Sequence, residues 1–311
     1  MDAAKFIEDA VAEIRGEVGD GKAINALSGG VDSSVVTVLA HQALGDRLRT
    51  LFLDNALMRE GEPQRVARIF ADMGIPVELL DARKEFLDAL AGVTDPEAKR
   101  QAITSTFYEK VFGREVKRSG ATFLLHGTIL TDIEETVAGI KRQHNILAQL
   151  GIDPEEAYGY KVLEPLRTLR KDGVREVARA AGLPGEIAER IPFPGPALAT
   201  RIVGEVNEQR LATVRAATAI VEEELDDTGA FQYLAVLLAD RATGIRDGRR
   251  EFGQIIVVRC IDSTDAREAT VRELPWETLH RITERITGEV PGVNRCLYDL
   301  TPKPPATIEY V

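Results

Sequence analysis

The sequence predicts an α/β fold: a doubly wound parallel sheet with a second, smaller α+β domain. Three observations carry this. Short apolar runs without clean polar alternation recur through the first two-thirds of the chain, as expected of strands covered on both faces. Segments with apolar residues at helical spacing separate those runs. Near Ile191 the alternation stops at Pro192-Phe193-Pro194-Gly195-Pro196, which is too proline-rich for helix or central strand. That stiff element divides residues 1–190 from 191–311, in keeping with a 311-residue chain at roughly 150 residues per domain.

Phe6, Ala10, Ile14 and Val18, widened by Ile7 and Val11, predict an opening helix. Ala23 to Leu27 reads as the first strand, cut off by Ser28-Gly29-Gly30, and Val35, Val36, Leu39 and Leu44 continue as helix to Gly45. Leu51-Phe52-Leu53 is a second strand closed by Asp54, residues 64–73 are helical, and 77–80 form a third strand. Helices follow over 83–90 and 95–116, and Phe123-Leu124-Leu125 leads as a strand into His126-Gly127-Thr128. Beyond the boundary, Asn207 is placed to cap a helix carrying Leu211, Val214, Ala217, Val221 and Leu225. Residues 253–260 read as a strand, and Pro275 suits the first position of a helix with Leu279, Ile282 and Ile286. Residues 293–300 and 307–310 read as closing strands.

The apolar fraction of 44% is ample for a core, and no apolar run approaches the roughly 18 residues of a membrane span. The opening MDAAKFIEDA carries acids where a secretory signal would carry a basic region, so a cytoplasmic location is expected. Cys260 and Cys296 lie far apart, which excludes a disulfide framework or zinc ribbon and suits a reducing compartment. They read as small apolar residues on strands, without the His and Asn or Asp that a nucleophilic cysteine needs. With 39 basic against 50 acidic residues the net charge is −11, which argues against nucleic acid as the main partner.

The chemistry concentrates in Ser28-Gly29-Gly30-Val31-Asp32-Ser33-Ser34, between the first strand and its helix. Two glycines let the backbone approach a ligand closely, and the unpaired amides of a helix start form an anion cradle. Serine hydroxyls add donors. Asp32 would repel a phosphate unless a cation lay between them, and a Mg²⁺ bridging Asp32 and phosphate oxygens resolves the conflict. A Walker loop is excluded because no lysine occurs here, and the dinucleotide fingerprint is excluded because the two glycines are adjacent.

This loop resembles the pyrophosphatase loop of the N-type ATP pyrophosphatases, which split ATP between its α- and β-phosphates and adenylate a carbonyl oxygen. Further segments resemble the synthetase subunit family of two-subunit GMP synthases. They include Asp54-Asn55-Ala56-Leu57-Met58-Arg59, Gly92-Val93-Thr94-Asp95-Pro96, Gly127-Thr128 with Asp132, Glu164-Pro165-Leu166-Arg167 and Lys171-Asp172. Pro192 to Pro196, Gly204-Glu205-Val206 and the tail Lys303-Pro304-Pro305-Ala306-Thr307-Ile308-Glu309 are the most specific. The resemblance implies an adenine nucleotide α-hydrolase-like fold and ATP-dependent amination of xanthosine monophosphate (XMP) to GMP. It implies ATP and Mg²⁺ as cosubstrate and metal, with Ser28 through Ser34 and Asp54 contacting ATP, Asp32 near the metal, and Asp32 and Lys141 in catalysis. Arg59, Asp172, Gln232, Lys303 and Glu309 fall where the family contacts XMP. A separate glutaminase subunit supplying ammonia, and a homodimer built by the C-terminal domain, are implied as well.

The departures cluster. Where the family lid reads Ile-Lys-Ser-His-His-Asn-Val-Gly-Gly-Leu-Pro, this chain has Ile140-Lys141-Arg142-Gln143-His144-Asn145-Ile146-Leu147-Ala148-Gln149-Leu150, passable as helix. Ala56 and Ala197 stand where the family has glycine, and Asp265-Ala266-Arg267 replaces Asp-Gly-Met. An intact phosphate loop beside an altered lid predicts retained ATP activation with a changed acceptor or closure. The competing reading is therefore a diverged pyrophosphatase that adenylates another carbonyl for ammonia or sulfur insertion.

Overall fold

The apolar runs of the first two-thirds assemble into one parallel sheet. β1 (Ala23–Ala26) lies between β2 (Leu48–Asp54) and β4 (Phe123–Leu125), β3 (Glu78–Asp81) adds outside β2, and β5 (Lys161–Leu163) outside β4. Register places Ala23 beside both Leu48 and Phe123. The order β3-β2-β1-β4-β5 reverses direction between β1 and β4, the switch point at which open α/β sheets bind ligands. Leu51 and Phe52 on β2 and Ile24 on β1 are fully buried although neighbours along a strand face opposite sides, so both faces of the sheet are covered. The sequence reading of a doubly wound parallel sheet is borne out.

A computed structural model describes residues 1–137, 160–264 and 266–311. It divides into two compact units. The first comprises Met1–Asp54, Gly61–Ala82 and Ser105–Arg190, and the second Asn55–Glu60, Arg83–Thr104 and Ile191–Val311. In the first unit α1 (Ala3–Val18), capped by the Asp2 side chain, and α2 (Val31–Leu44) pack on each other and on the helix Lys171–Ala180. α3 (Glu62–Asp72) packs on β2 and β3.

The helix expected over 95–116 is not continuous. Pro96–Ser105 is α-helical, Thr106–Phe112 is a wider π-helical turn, and Gly113–Ser119 resumes the α-helix. The wide turn aligns residues five apart, so the Phe107 and Phe112 rings stack at 5.5 Å and 9°. It also brings the Tyr108 carbonyl where a Cβ on Gly113 would stand 2.6 Å away, so glycine fits there.

The second unit is α+β. The long strands β6 (Gln232–Arg246) and β7 (Arg249–Asp262) pair antiparallel, the short β8 (Thr270–Val271) pairs antiparallel with β7, and β9 (Val293–Tyr298) pairs parallel with it. Asn207 caps the helix Glu208–Leu225 as expected, its side chain accepting from the Arg210 amide at 3.0 Å. Pro275 is the N-cap of the helix Trp276–Glu289, one residue outside the position expected. Two strand expectations need correction. β9 ends at Tyr298, and residues 307–310 form no strand, because the tail is held by side chains instead of a ladder. Buried Arg259 donates to Asp299 at 2.7 Å and to the carbonyls of Thr301 at 2.6 Å and Thr307 at 3.1 Å. The strand β6 escapes a sequence reading because its outer half is polar and exposed.

Candidate active site

In the first unit the loop after β1 turns back on itself through its own hydroxyls. The Ser28 and Ser33 hydroxyls lie 2.9 Å apart, the Ser28 amide donates to Ser33 Oγ at 3.1 Å, and Ser33 Oγ donates to the Gly30 carbonyl at 3.1 Å. Gly29 has φ +78, a conformation that glycine supplies without strain. The loop then enters α2, whose first-turn amides point out of the carboxyl end of the sheet. Ser28 is exposed, Gly30, Asp32 and Ser33 are half-buried, and Gly29, Val31 and Ser34 are buried. The Ser34 hydroxyl has no hydrogen-bond partner among the described residues.

The segment after β4 closes on this turn. A Cβ on Gly127 would stand 3.1 Å from the Ser33 amide nitrogen and 3.3 Å from the Asp32 Cβ, so the glycine lets the two loops of the switch point pack closely. His126 Nδ1 lies 2.8 Å from the Thr128 hydroxyl, which donates to Glu164 at 2.6 Å. Burial holds the His126 imidazole below its ordinary pKa, against the pull of Glu164 and Asp132. Asp132 accepts from the Ile129 amide at 3.0 Å. Asp54 ends β2, half-buried beside Asp81 of β3.

Asp32 is paired. The Lys171 ammonium lies 3.0 and 2.8 Å from its two carboxylate oxygens. In the sequence Lys171 falls within a matching segment, but nothing there gives it a role. Lys171 opens a helix, where the macrodipole disfavours a cation, and that misplacement is the signal that could find it. Asp172, its neighbour, is an exposed acid in the same first turn. Arg190 is a second residue that sequence reasoning misses. Its Nη1 donates to the Gly29 carbonyl at 2.8 Å and its other nitrogen pairs with buried Glu62 of α3.

In the second unit three of the residues expected at the purine nucleotide are joined through Phe193 of the proline-rich element and through Arg201, which the sequence does not single out. Glu309 accepts from Gln232 Nε2 at 2.7 Å and from the Arg201 guanidinium at 3.2 and 3.3 Å. Arg201 lies over the Phe193 ring at 4.8 Å, and Arg59 lies over the same ring at 3.9 Å while pairing with Glu222 at 2.5 Å. Lys303 is held separately, its ammonium donating to the Ala266 carbonyl at 2.7 Å. Cys260 is buried and its thiol is pushed up to about 12 by burial, and burial likewise raises Cys296, so neither is disposed to act as a thiolate. Lys141, His144, Asn145 and the whole of 140–150 lie outside the described residues.

Among the described residues no cluster of three or more His, Cys, Asp or Glu side chains could hold a metal ion. Asp32 still fits Mg²⁺, which binds through one or two carboxylates with substrate phosphates and water completing its shell. The Lys171 ammonium shows that this carboxylate already takes a cation.

Comparison with known proteins gives the following. Residues 219–310 match the family model of the GMP synthase C terminal domain, and residues 2–105 match that of NAD synthase. The chain is 53% identical over 311 residues to a subunit of the glutamine-hydrolyzing GMP synthase of Archaeoglobus fulgidus, covering 100% of both. It is 48% identical to the corresponding subunit from Methanopyrus kandleri, covering 100% of this chain and 99% of that one. It is 48% identical to that from Pyrococcus horikoshii, covering 100% of both. Among solved structures, an NH3-dependent NAD synthetase from Campylobacter jejuni aligns with a TM-score of 0.48 at 15% identity, over 63% of this chain and 80% of that one.

Proposed function

Since the chain belongs to this family of glutamine-hydrolyzing GMP synthase subunits, we propose that its first unit activates ATP at the loop 28–34 and its second unit holds XMP. The protein is an ATP-dependent ligase of GMP synthesis. The XMP O2 attacks the α-phosphorus of ATP and the bond to pyrophosphate breaks. Ammonia then attacks C2, and AMP leaves with the oxygen. Adenylation is needed because a carbonyl oxygen is a poor leaving group.

The observation that carries this reading is the phosphate loop at the β1/β4 switch point, with the Asp32 carboxylate facing a cation there. Exposed amides and the Ser28 and Ser33 hydroxyls would grip the departing diphosphate. The work of the loop is positioning and charge stabilisation of an in-line displacement. Asp32 would hold Mg²⁺, which when bound neutralises charge on the leaving pyrophosphate. Lys171 holds the Asp32 carboxylate in place beforehand and turns to phosphate once that carboxylate has another cation. Lys141 is assigned to catalysis on the family pattern.

Arg59, Gln232, Lys303 and Glu309 are proposed to contact XMP, with Asp172 added on the family pattern. Two of these would meet the anion or the purine as donors already oriented by Phe193 and Ala266. A separate glutaminase subunit would supply ammonia, consistent with relatives that are each named as one subunit of a glutamine-hydrolyzing enzyme. A homodimer through the second unit is proposed on the exposed Ile245 and Phe252 of the β6–β7 hairpin. Among the described residues no helix is long and apolar enough to cross a membrane, and a cytoplasmic location is proposed.

The deciding experiment incubates the protein with ATP, Mg²⁺, ammonia and XMP and measures AMP, pyrophosphate and GMP together. Equal yields are expected. Pyrophosphate release with another carbonyl acceptor and none with XMP would overturn the assignment of acceptor while leaving the loop assignment standing.

A further inference from the structure

We infer that Arg190 is a positioning residue that locks the Gly29–Gly30 peptide with its amide turned toward the phosphates. This rests on the proposed role of the loop. In a trans peptide the carbonyl and the amide hydrogen of one unit point in opposite directions. The Gly29 carbonyl points to Arg190, whose Nη1 donates to it at 2.8 Å. The Gly30 amide of the same peptide therefore points away, to the exposed side, where its partner is Ser28 Oγ at a long 3.4 Å. A weakly held, outward amide is what an incoming phosphate oxygen needs.

Within the loop, the long Ser28 Oγ contact is a weak hold on that orientation. Gly29 at φ +78 is the residue type best able to let the following peptide rotate. Arg190 supplies the restraint and is itself restrained. Its second nitrogen pairs with the Glu62 carboxylate, 3% exposed, in the first turn of α3, where the helix dipole favours a negative charge. The fit is close: a Cβ on Gly29 would stand 2.9 Å from Arg190 Nη1 and 3.1 Å from Val66. A planar fork that reaches a carbonyl and a carboxylate together is a guanidinium property, and the shorter point charge of lysine does not reproduce it.

Arg190→Gln should weaken binding of ATP and of pyrophosphate, measured by calorimetry, by roughly tenfold to hundredfold, the loss of one charge-assisted amide contact. The KM for XMP should be unchanged, and Arg190→Lys should restore only part of the ATP affinity. A fall in melting temperature with ATP and pyrophosphate affinity intact would overturn the inference. If Arg190→Gln does not fold, the wild-type chain carries the test. Pyrophosphate titrated into 15N-labelled protein should shift the Gly30 amide together with those of residues 31–34. Shifts at 31–34 with Gly30 unmoved overturn the lock and leave the loop assignment intact. Shifts elsewhere with none in 28–34 overturn the loop assignment itself.

Discussion

The phosphate loop and the arginine–glutamate cluster of the second unit are built in opposite ways. The loop is consecutive, from Ser28 to Ser34, and its proposed role rests mainly on backbone amides. The proposed role of the cluster rests on side chains, and the cluster gathers Arg59, Phe193, Arg201, Gln232 and Glu309 from distant stretches of the chain. A backbone cradle depends on glycine and on a helix start, so it leaves a contiguous signature. A side-chain cluster leaves one only after folding has brought its members together. If the two sites bind different substrates, they should also fail separately. Asp32→Ala should reduce pyrophosphate release by roughly 10²–10³-fold, the scale for losing one preorganised charge-stabilising group. XMP affinity, read by calorimetry, should stay unchanged. Equal loss of both would break the contrast.

The converse variant is Arg201→Met. Arg201 is 1% exposed and pairs with Glu309, so its removal leaves that carboxylate facing a desolvated site. The cost should be about 3 kcal/mol in chemical denaturation, the low end for breaking a buried pair, because the Glu309 side chain is 18% exposed. XMP affinity should fall while pyrophosphate affinity stays.

A smaller effect sharpens the same contrast through pH. Lys99, buried in the second unit, donates to the Ile202 carbonyl at 2.6 Å. Burial draws its pKa down to about 8, with Arg210 adding repulsion. Between about 8 and the ordinary 10.5 the unfolded chain binds the proton that the folded chain has lost, so stability rises with pH across that window. The gain should be on the order of 2 kcal/mol. Lys99→Met should flatten it, as denaturation midpoints at pH 8 and 10 would show.

How much is legible in the sequence follows the same division. Four of the five parallel strands and the helix cap at Asn207 follow from local pattern and form where it places them, and the glycine-serine turn after β1 leads into a helix as read; β5, only three residues long, is not among the runs read from the sequence. Lys171, Arg190 and Arg201 are not legible because their meaning lies in partners far along the chain: Asp32, Gly29 and Glu62, and Glu309. The closing strand expected over 307–310 fails for a related reason. Arg259 holds that tail by its carbonyls, and Ile308 packs against the cluster of Leu234, Val236 and Val257 while Tyr310 stays exposed. The break at Thr106–Phe112 brings rings together five residues apart, a period that a helical reading does not search.

The finest test concerns the alanines that stand where the family has glycine. Ala56, Ala197 and Ala266 all have positive φ, at 66°, 53° and 64°. Each sits in the region that costs a side-chain-bearing residue about 1–2 kcal/mol. At Ala56 the conformation is imposed from outside, because Arg215 donates to the carbonyls of Ala56 at 2.5 Å and Met58 at 2.9 Å, and Asn55 Oδ1 accepts from the Leu57 amide at 2.9 Å. Ala56→Gly relieves the strain but enlarges the unfolded ensemble at a cost of about 0.4–1 kcal/mol. A net gain of about 0.5–1 kcal/mol is expected, a rise of roughly 1–4 °C in Tm for a chain of this size. Ala197 is fully buried, so the same exchange there also loses about 0.8 kcal/mol of methyl burial. Ala197→Gly should therefore be neutral or destabilising. Thermal scans of the two variants side by side check the ordering: if Ala197→Gly proved the more stabilising, backbone strain would not be what distinguishes these positions.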